Sequence, residues 1–175
     1  GKIVGLLGMG NIGSKVARMV QGFGSQVQYY DVFRMDEARE QAMGVTYVDL
    51  DTLLRTSDIV SVHVPLLPST EGMIGAKSFA KMKKSAILIN TARGPIVNTD
   101  DLLHALESGE IFAAAMDTVS GEPLPPDHPI FRSERIILTP HAGGNTSDNI
   151  ENMVEIIADC ILTMESGTTP AKKFI

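Results

Sequence analysis

The sequence predicts a doubly wound α/β fold, a parallel sheet with helices on both faces. Two observations predict it. Short apolar runs alternate with amphipathic stretches along most of the chain. Polar and charged motifs follow those runs directly, and such sheets bind ligands beyond the carboxyl ends of their strands.

Strands are expected at Ile3–Leu7, Gln26–Tyr30, Ile59–Val62, Ala86–Asn90, Ala113–Met116 and Ile136–Leu138. Most are short, apolar and bounded by turn residues, as strands covered on both faces should be. Helices are expected between and after them, at Asn11–Gly22, Asp36–Met43, Leu50–Thr56, Ala76–Lys81, Thr99–Ser108 and Asp148–Ser166. In the last, Ile150, Met153, Val154, Ile157, Ile161 and Met164 recur at spacings of three and four and define one apolar face. The longest irregular piece, from Ser120 to Phe131, is rich in proline.

A chain of 175 residues reads as one domain, with residues 1–167 forming the domain and 168–175 a tail. A net charge of −6 argues against a general nucleic-acid or anionic-membrane surface. It leaves room for a small anionic substrate, because one local arginine can bind it. The single cysteine, Cys160, can form no internal disulfide and no CxxC metal site, so no metal is expected. Cys160 lies among Ile156, Ile157, Ile161 and Leu162 and reads as a buried, inert thiol. No apolar run approaches the roughly 18 residues of a membrane helix, and no signal peptide is visible. A cytoplasmic protein is the expectation.

The first strand runs into Gly8-Met9-Gly10-Asn11-Ile12-Gly13 and then a helix. Gly8 permits a tight turn, Gly10 leaves room for a pyrophosphate, and Gly13 lets the helix pack close on the sheet. The helix N-terminus offers free N–H groups and the positive end of its dipole. A glycine-rich turn made only for packing is the alternative. The second strand ends at Tyr30, and Asp31 follows, eighteen positions after Gly13. A dinucleotide fold of Rossmann type places an acid there, on the adenosine ribose. Asp31 would accept hydrogen bonds from both ribose hydroxyls and repel a 2′-phosphate, which favours NAD over NADP; its alternative is a turn or cap residue. Arg34, three residues on, would soften that repulsion.

Three later loops carry chemistry: Asn90-Thr91-Ala92-Arg93-Gly94, Asp117 through Glu122, and Thr139-Pro140-His141-Ala142-Gly143-Gly144. With the glycine loop and His63-Val64-Pro65-Leu66, these segments resemble the D-isomer-specific 2-hydroxyacid dehydrogenases, in the family's order and across nearly the whole chain.

The resemblance implies an NAD-binding domain and assigns roles. Arg93 would hold the substrate's carboxylate and carbonyl through paired charge-assisted bonds. His141 would be the acid/base. Glu122 would hydrogen-bond the other ring nitrogen of His141, and a carboxylate beside an imidazole favours its protonated form. Asp117 would meet the nicotinamide carboxamide. Gly143 and Gly144 would allow close approach to the nicotinamide. Pro65, with Val64, matches the family's adenine side, Thr70 its phosphate side, and Thr91 and Ala92 line the cofactor. Each has a second reading: Arg93 as a surface ion-pair residue, Glu122 as a solvated loop residue, Asp117 as a cap, and His141 as a core or turn histidine. His63 reads as structural or cofactor-lining, and His104 and His128 as surface residues.

Family members wrap this domain with a second, substrate-binding one, which this sequence lacks in the expected reading; a homodimer is also implied. The expectation is therefore a chain that binds NAD and turns over a small 2-oxo or 2-hydroxy acid poorly alone. Two other readings compete. Formate dehydrogenases share the arginine and histidine but pair the histidine with glutamine, and Glu122 argues against them. Corepressors that resemble these enzymes use NAD as a conformational ligand.

Overall fold

A computed structural model describes residues 1–169, so the expected tail lies outside the described residues from position 170 onward. The chain divides into two compact units, Gly1–Pro140 and His141–Ile175.

The first unit holds seven parallel strands: β1 (Ile3–Leu7), β2 (Gln26–Tyr30), β3 (Val45–Tyr47), β4 (Ile59–Val62), β5 (Ile87–Asn90), β6 (Ala113–Met116) and β7 (Ile136–Leu138). Their order is β3-β2-β1-β4-β5-β6-β7. The chain winds outward from β1 to β3, then returns to lay β4 against the other side of β1, with Leu7 level with Val62. This reversal leaves a crevice beyond the carboxyl ends of β1 and β4, the place where doubly wound sheets take their ligands. Six strands stand where the sequence places them, β5 starting one residue late. The seventh, β3, was not expected.

Side chains of β1 serve both faces of the sheet in turn. Leu6 is fully buried with Ala17, Val27 and Tyr29, while Leu7 is fully buried in a second cluster with Leu54, Val62, Leu88 and Leu102. Each such leucine contributes about 2 kcal/mol of hydrophobic stabilisation.

Helices α1 (Asn11–Gln21), α2 (Glu37–Met43), α3 (Leu50–Thr56), α4 (Ala76–Phe79) and α5 (Thr99–Glu107) connect the strands. The starts of α2, α3 and α5 are fixed by side-chain caps: Asp36, Asp49 and Asn98 accept the N–H of Arg39, Thr52 and Asp101. α4 stops short of the expected Lys81 because the chain tightens there, Lys81 and Met82 donating to carbonyls three residues back. The second unit holds α6 (Ser147–Glu165), capped by Thr146. Its apolar side chains Ile150, Met153, Val154 and Ile161 are exposed, and Cys160, expected buried, is half-buried. No helix among the described residues is long and apolar enough to cross a membrane.

The amino-terminal edge of the sheet is tied by Asp58. Its Oδ2 accepts the Ile3 N–H at 2.9 Å, and its Oδ1 accepts Lys83 Nζ at 3.0 Å. The Ile3 bond, then the Lys83 bond, holds this carboxyl below the ordinary aspartate value. A depressed carboxyl stabilises the fold fully above the unfolded value of about 3.9, and the gain is lost as pH falls through the lower folded value. Asp58→Asn is therefore expected to cost about 1 kcal/mol at pH 7 and progressively less in acid. Urea unfolding of both proteins from pH 7 to pH 2 measures this; a gap that persists unchanged in acid would contradict it.

Candidate functional site

The glycine loop follows β1 and faces the crevice. Gly8 has φ +97°, and a β-carbon there would come within 2.8 Å of the His63 carbonyl carbon and the Val64 nitrogen. Its N–H donates to Tyr30 O at 2.8 Å, so the loop is seated on both neighbouring strands. A β-carbon on Gly13 would stand 2.1 Å from Gly8 O. The first turn of α1 is thus folded under the loop itself, a tighter constraint than the helix-on-sheet packing expected of Gly13. Gly10 meets the opposite condition: nothing lies within 4 Å of where its β-carbon would be. It caps α1 without any side-chain hydrogen bond, and Asn11 and Ile12 after it are exposed. A helix start with no side-chain cap leaves backbone donors for an anion. These features fit the pyrophosphate of a dinucleotide.

Asp31 fulfils its second reading and keeps its first available. Oδ2 accepts the Met9 N–H at 2.8 Å, and Oδ1 accepts the Phe33 N–H at 3.0 Å. The carboxylate thereby ties the glycine loop to the turn after β2. A carboxylate has about four acceptor sites, so two bonds leave capacity for ribose hydroxyls.

The loop after β4 closes the other side. His63 donates its backbone N–H to Leu7 O at 2.7 Å, and its Nε2 lies 2.9 Å from Ser61 Oγ. Burial pushes the His63 imidazole below its ordinary value and keeps it neutral. Val64 packs on the core, and Pro65 is exposed. The Thr70 hydroxyl accepts the Leu67 N–H at 2.8 Å and donates to Pro65 O at 2.6 Å, bracing this loop from within.

Farther along the sheet, Asn90 was not singled out by sequence, yet it shapes the arginine loop. It is fully buried. Its Oδ1 accepts the Ala92 N–H and its Nδ2 donates to Arg93 O, both at 3.0 Å. Thr91 and Arg93 are left exposed at the carboxyl end of β5, with Arg93 Nη1 donating to Ala92 O at 2.6 Å. Gly94 lies against the next loop: a β-carbon on it would sit 2.1 Å from the carbonyl carbon of Val119. The Asp117 N–H donates to Asn90 O at 2.9 Å, and the Asp117 carboxylate accepts the hydroxyl of Thr139 after β7. Asp117, Glu122, Leu124, Phe131, Leu138 and Thr139 line a cavity of about 370 Å³. Within the first unit, then, the arginine loop, Asp117 and Glu122 gather beyond the ends of β5, β6 and β7.

His141, Gly143 and Gly144 belong to the second unit. His141 is exposed and has φ +52°, the left-handed region that non-glycine residues enter at a cost and that is enriched at functional positions. The turn after it is held by Asn149, whose Nδ2 donates to Gly144 O at 2.7 Å.

A family model described as D-isomer specific 2-hydroxyacid dehydrogenase, NAD binding domain, matches residues 1–143. The chain is 41% identical over 170 residues to a glyoxylate reductase of Korarchaeum cryptofilum, covering 97% of this chain and 51% of that protein. It is 40% identical over 167 residues to a D-3-phosphoglycerate dehydrogenase of Archaeoglobus fulgidus, covering 95% of this chain and 32% of that protein. The crystal structure of D-lactate dehydrogenase with NAD+ from Lactobacillus jensenii superposes with a TM-score of 0.89 at 39% identity, over 99% of this chain and 56% of that one. The chain spans about half the length of the glyoxylate reductases it matches.

Gly13→Ala tests the loop. The added methyl group collides with Gly8 O, so the loop must move while the sheet stays intact. Dinucleotide affinity is expected to fall at least about tenfold, some 1.4 kcal/mol, with an unchanged circular dichroism spectrum. Titration of NADH fluorescence reads it; undiminished affinity would show that the loop does not touch the cofactor.

Proposed function

The chain belongs to the D-isomer specific 2-hydroxyacid dehydrogenase family, as its NAD binding domain, and from that premise we propose that it serves hydride transfer between NAD(H) and a D-2-hydroxy acid/2-oxo acid pair. The observation that carries the proposal is the gathering of the open glycine loop, Asp31, the arginine loop and Asp117 at the carboxyl ends of one parallel sheet.

NAD, when bound, supplies the hydride donor or acceptor. The residues around it bind and orient. Backbone N–H groups at Gly10 to Gly13 take the pyrophosphate, with the dipole of α1 behind them. Asp31 takes the adenosine ribose, Val64 and Pro65 its adenine side, and Thr70 the phosphate side. Asp117 would hold the nicotinamide carboxamide, and Thr91, Ala92, Gly143 and Gly144 are the further residues that would bind the cofactor.

Arg93 holds the carboxylate of the acid. Its guanidinium is planar and always charged, so two parallel bonds fix both the position and the orientation of the 2-oxo group. His141 carries the proton: it donates to the carbonyl oxygen in reduction and removes the hydroxyl proton in oxidation. Glu122 is the carboxylate that would orient the His141 ring for this proton transfer. Closure of a substrate domain over these groups would exclude water and align the reacting atoms. A homodimer is part of the same proposal and is read by sedimentation with and without NAD.

Arg93→Lys and His141→Asn in the full-length protein test the roles. The lysine variant loses the fork, so kcat/KM for a 2-oxo acid such as glyoxylate is expected to fall by about two orders of magnitude, mostly through KM. The asparagine variant is expected to lose about 10²–10⁴ in kcat. Neither should change NADH affinity by more than about twofold. Activity near that of the unmodified protein in either variant would refute the assigned role.

A further inference from the structure

Asp31 is followed three positions later by Arg34, the one cation in the turn after β2. The structure turns Arg34 toward α2. Its Nε donates to Glu40 Oε1 and its Nη2 to Glu40 Oε2, both at 2.9 Å, a two-pronged pairing. The guanidinium lies over the Tyr47 ring, 5.1 Å from its centroid. Glu40 is itself fixed from below. Its Oε1 accepts the Tyr29 hydroxyl at 2.8 Å, and that hydroxyl accepts the Met35 N–H at 3.1 Å.

Exposure differs sharply between the two partners: 48% of the Arg34 side chain is accessible, against 10% of Glu40. The hydrogen bond from Arg34, then that from Tyr29, holds the Glu40 carboxyl below its ordinary value, so it stays ionised at neutral pH. An exposed arginine is thus anchored on a buried, ionised carboxylate. Isolated surface pairs have no such anchor and hold their geometry loosely.

We propose that Glu40 is a positioning residue for cofactor choice: by holding and neutralising Arg34, it denies the 2′-phosphate of NADP a cation and so enforces NAD. The proposal rests on the reading of Asp31 as the ribose partner. With Glu40 in place, the Arg34–Glu40 pair sums to zero and the carboxylates of Asp31 and Asp36 leave the turn net negative. Without the Glu40 charge, Arg34 offsets Asp31 and is free to form a two-pronged bond with a phosphate, the geometry to which a guanidinium is suited.

The test titrates NADH and NADPH by calorimetry into the full-length protein and into Glu40→Gln, Arg34→Ala and the double variant. Glu40→Gln is expected to strengthen NADPH binding about tenfold and leave NADH within about twofold. Arg34→Ala alone leaves the ratio of the two affinities unchanged, and the double variant returns to that ratio. A merely structural role would move both cofactors alike. The proposal is overturned if Glu40→Gln weakens both equally or if its NADPH gain survives in the double variant. Should Glu40→Gln fail to fold, Arg34→Ala decides: a selective loss of NADPH shows that Arg34 already serves the phosphate and refutes the lock. Equal binding of both dinucleotides by the unmodified protein defeats the Asp31 reading and the lock with it. A preference for NADH that Glu40→Gln leaves intact defeats the lock alone.

Discussion

Three places where two stretches of backbone touch with no room for a β-carbon govern the rest of the first unit. Gly8 against His63 and Val64 brings the ends of β1 and β4 together at the point where the sheet reverses its winding. Gly13 beneath Gly8 folds the start of α1 into the loop, and Gly94 against Val119 fastens the loop after β5 to the loop after β6. Hydrophobic burial holds the layers, but it is indifferent to shifts of a fraction of an ångström at the strand ends. Backbone contact is not. Glycine at these positions converts a generic layered core into loops of defined shape.

Carboxylates complete the fastening, which gives the acidic composition a structural reading. Asp31 reaches across to Met9, Asp58 to Ile3, and Asp101 to Ala76, each accepting a backbone N–H from a distant segment. Bonds from a charged acceptor are worth about twice those between neutral groups. Part of the negative charge thus fastens distant backbone segments to one another.

The sheet was legible because its strands are apolar runs bounded by turn residues, and because the glycine loop and Asp31 occupy fixed offsets along it. β3 was not, because Val45-Thr46-Tyr47 is only three residues long and its edge position requires no apolar run. Asp36 was placed inside its helix, whereas it stands before the helix as the cap that accepts the Arg39 N–H. Asn90 and Gly94 lay within a motif that was noticed, but the full burial of Asn90 and the contact of Gly94 with Val119 on another loop are not carried by spacing alone. Arg34 is a similar case. Sequence placed its charge near Asp31, while its partner is Glu40 on the following helix. Sequence also offered Asp31 two exclusive roles, and the structure shows one carboxylate with acceptors enough for both.

The tie from Asp31 to Met9 has a thermodynamic consequence. A loop that awaited its ligand to take shape would surrender conformational freedom on binding, at roughly 1–2 kcal/mol for each residue ordered. Here the glycine loop is drawn into place by β2 and by the carboxylate at its end while the protein folds. The entropy is spent then, at folding, and association of the dinucleotide becomes the filling of a mould already set.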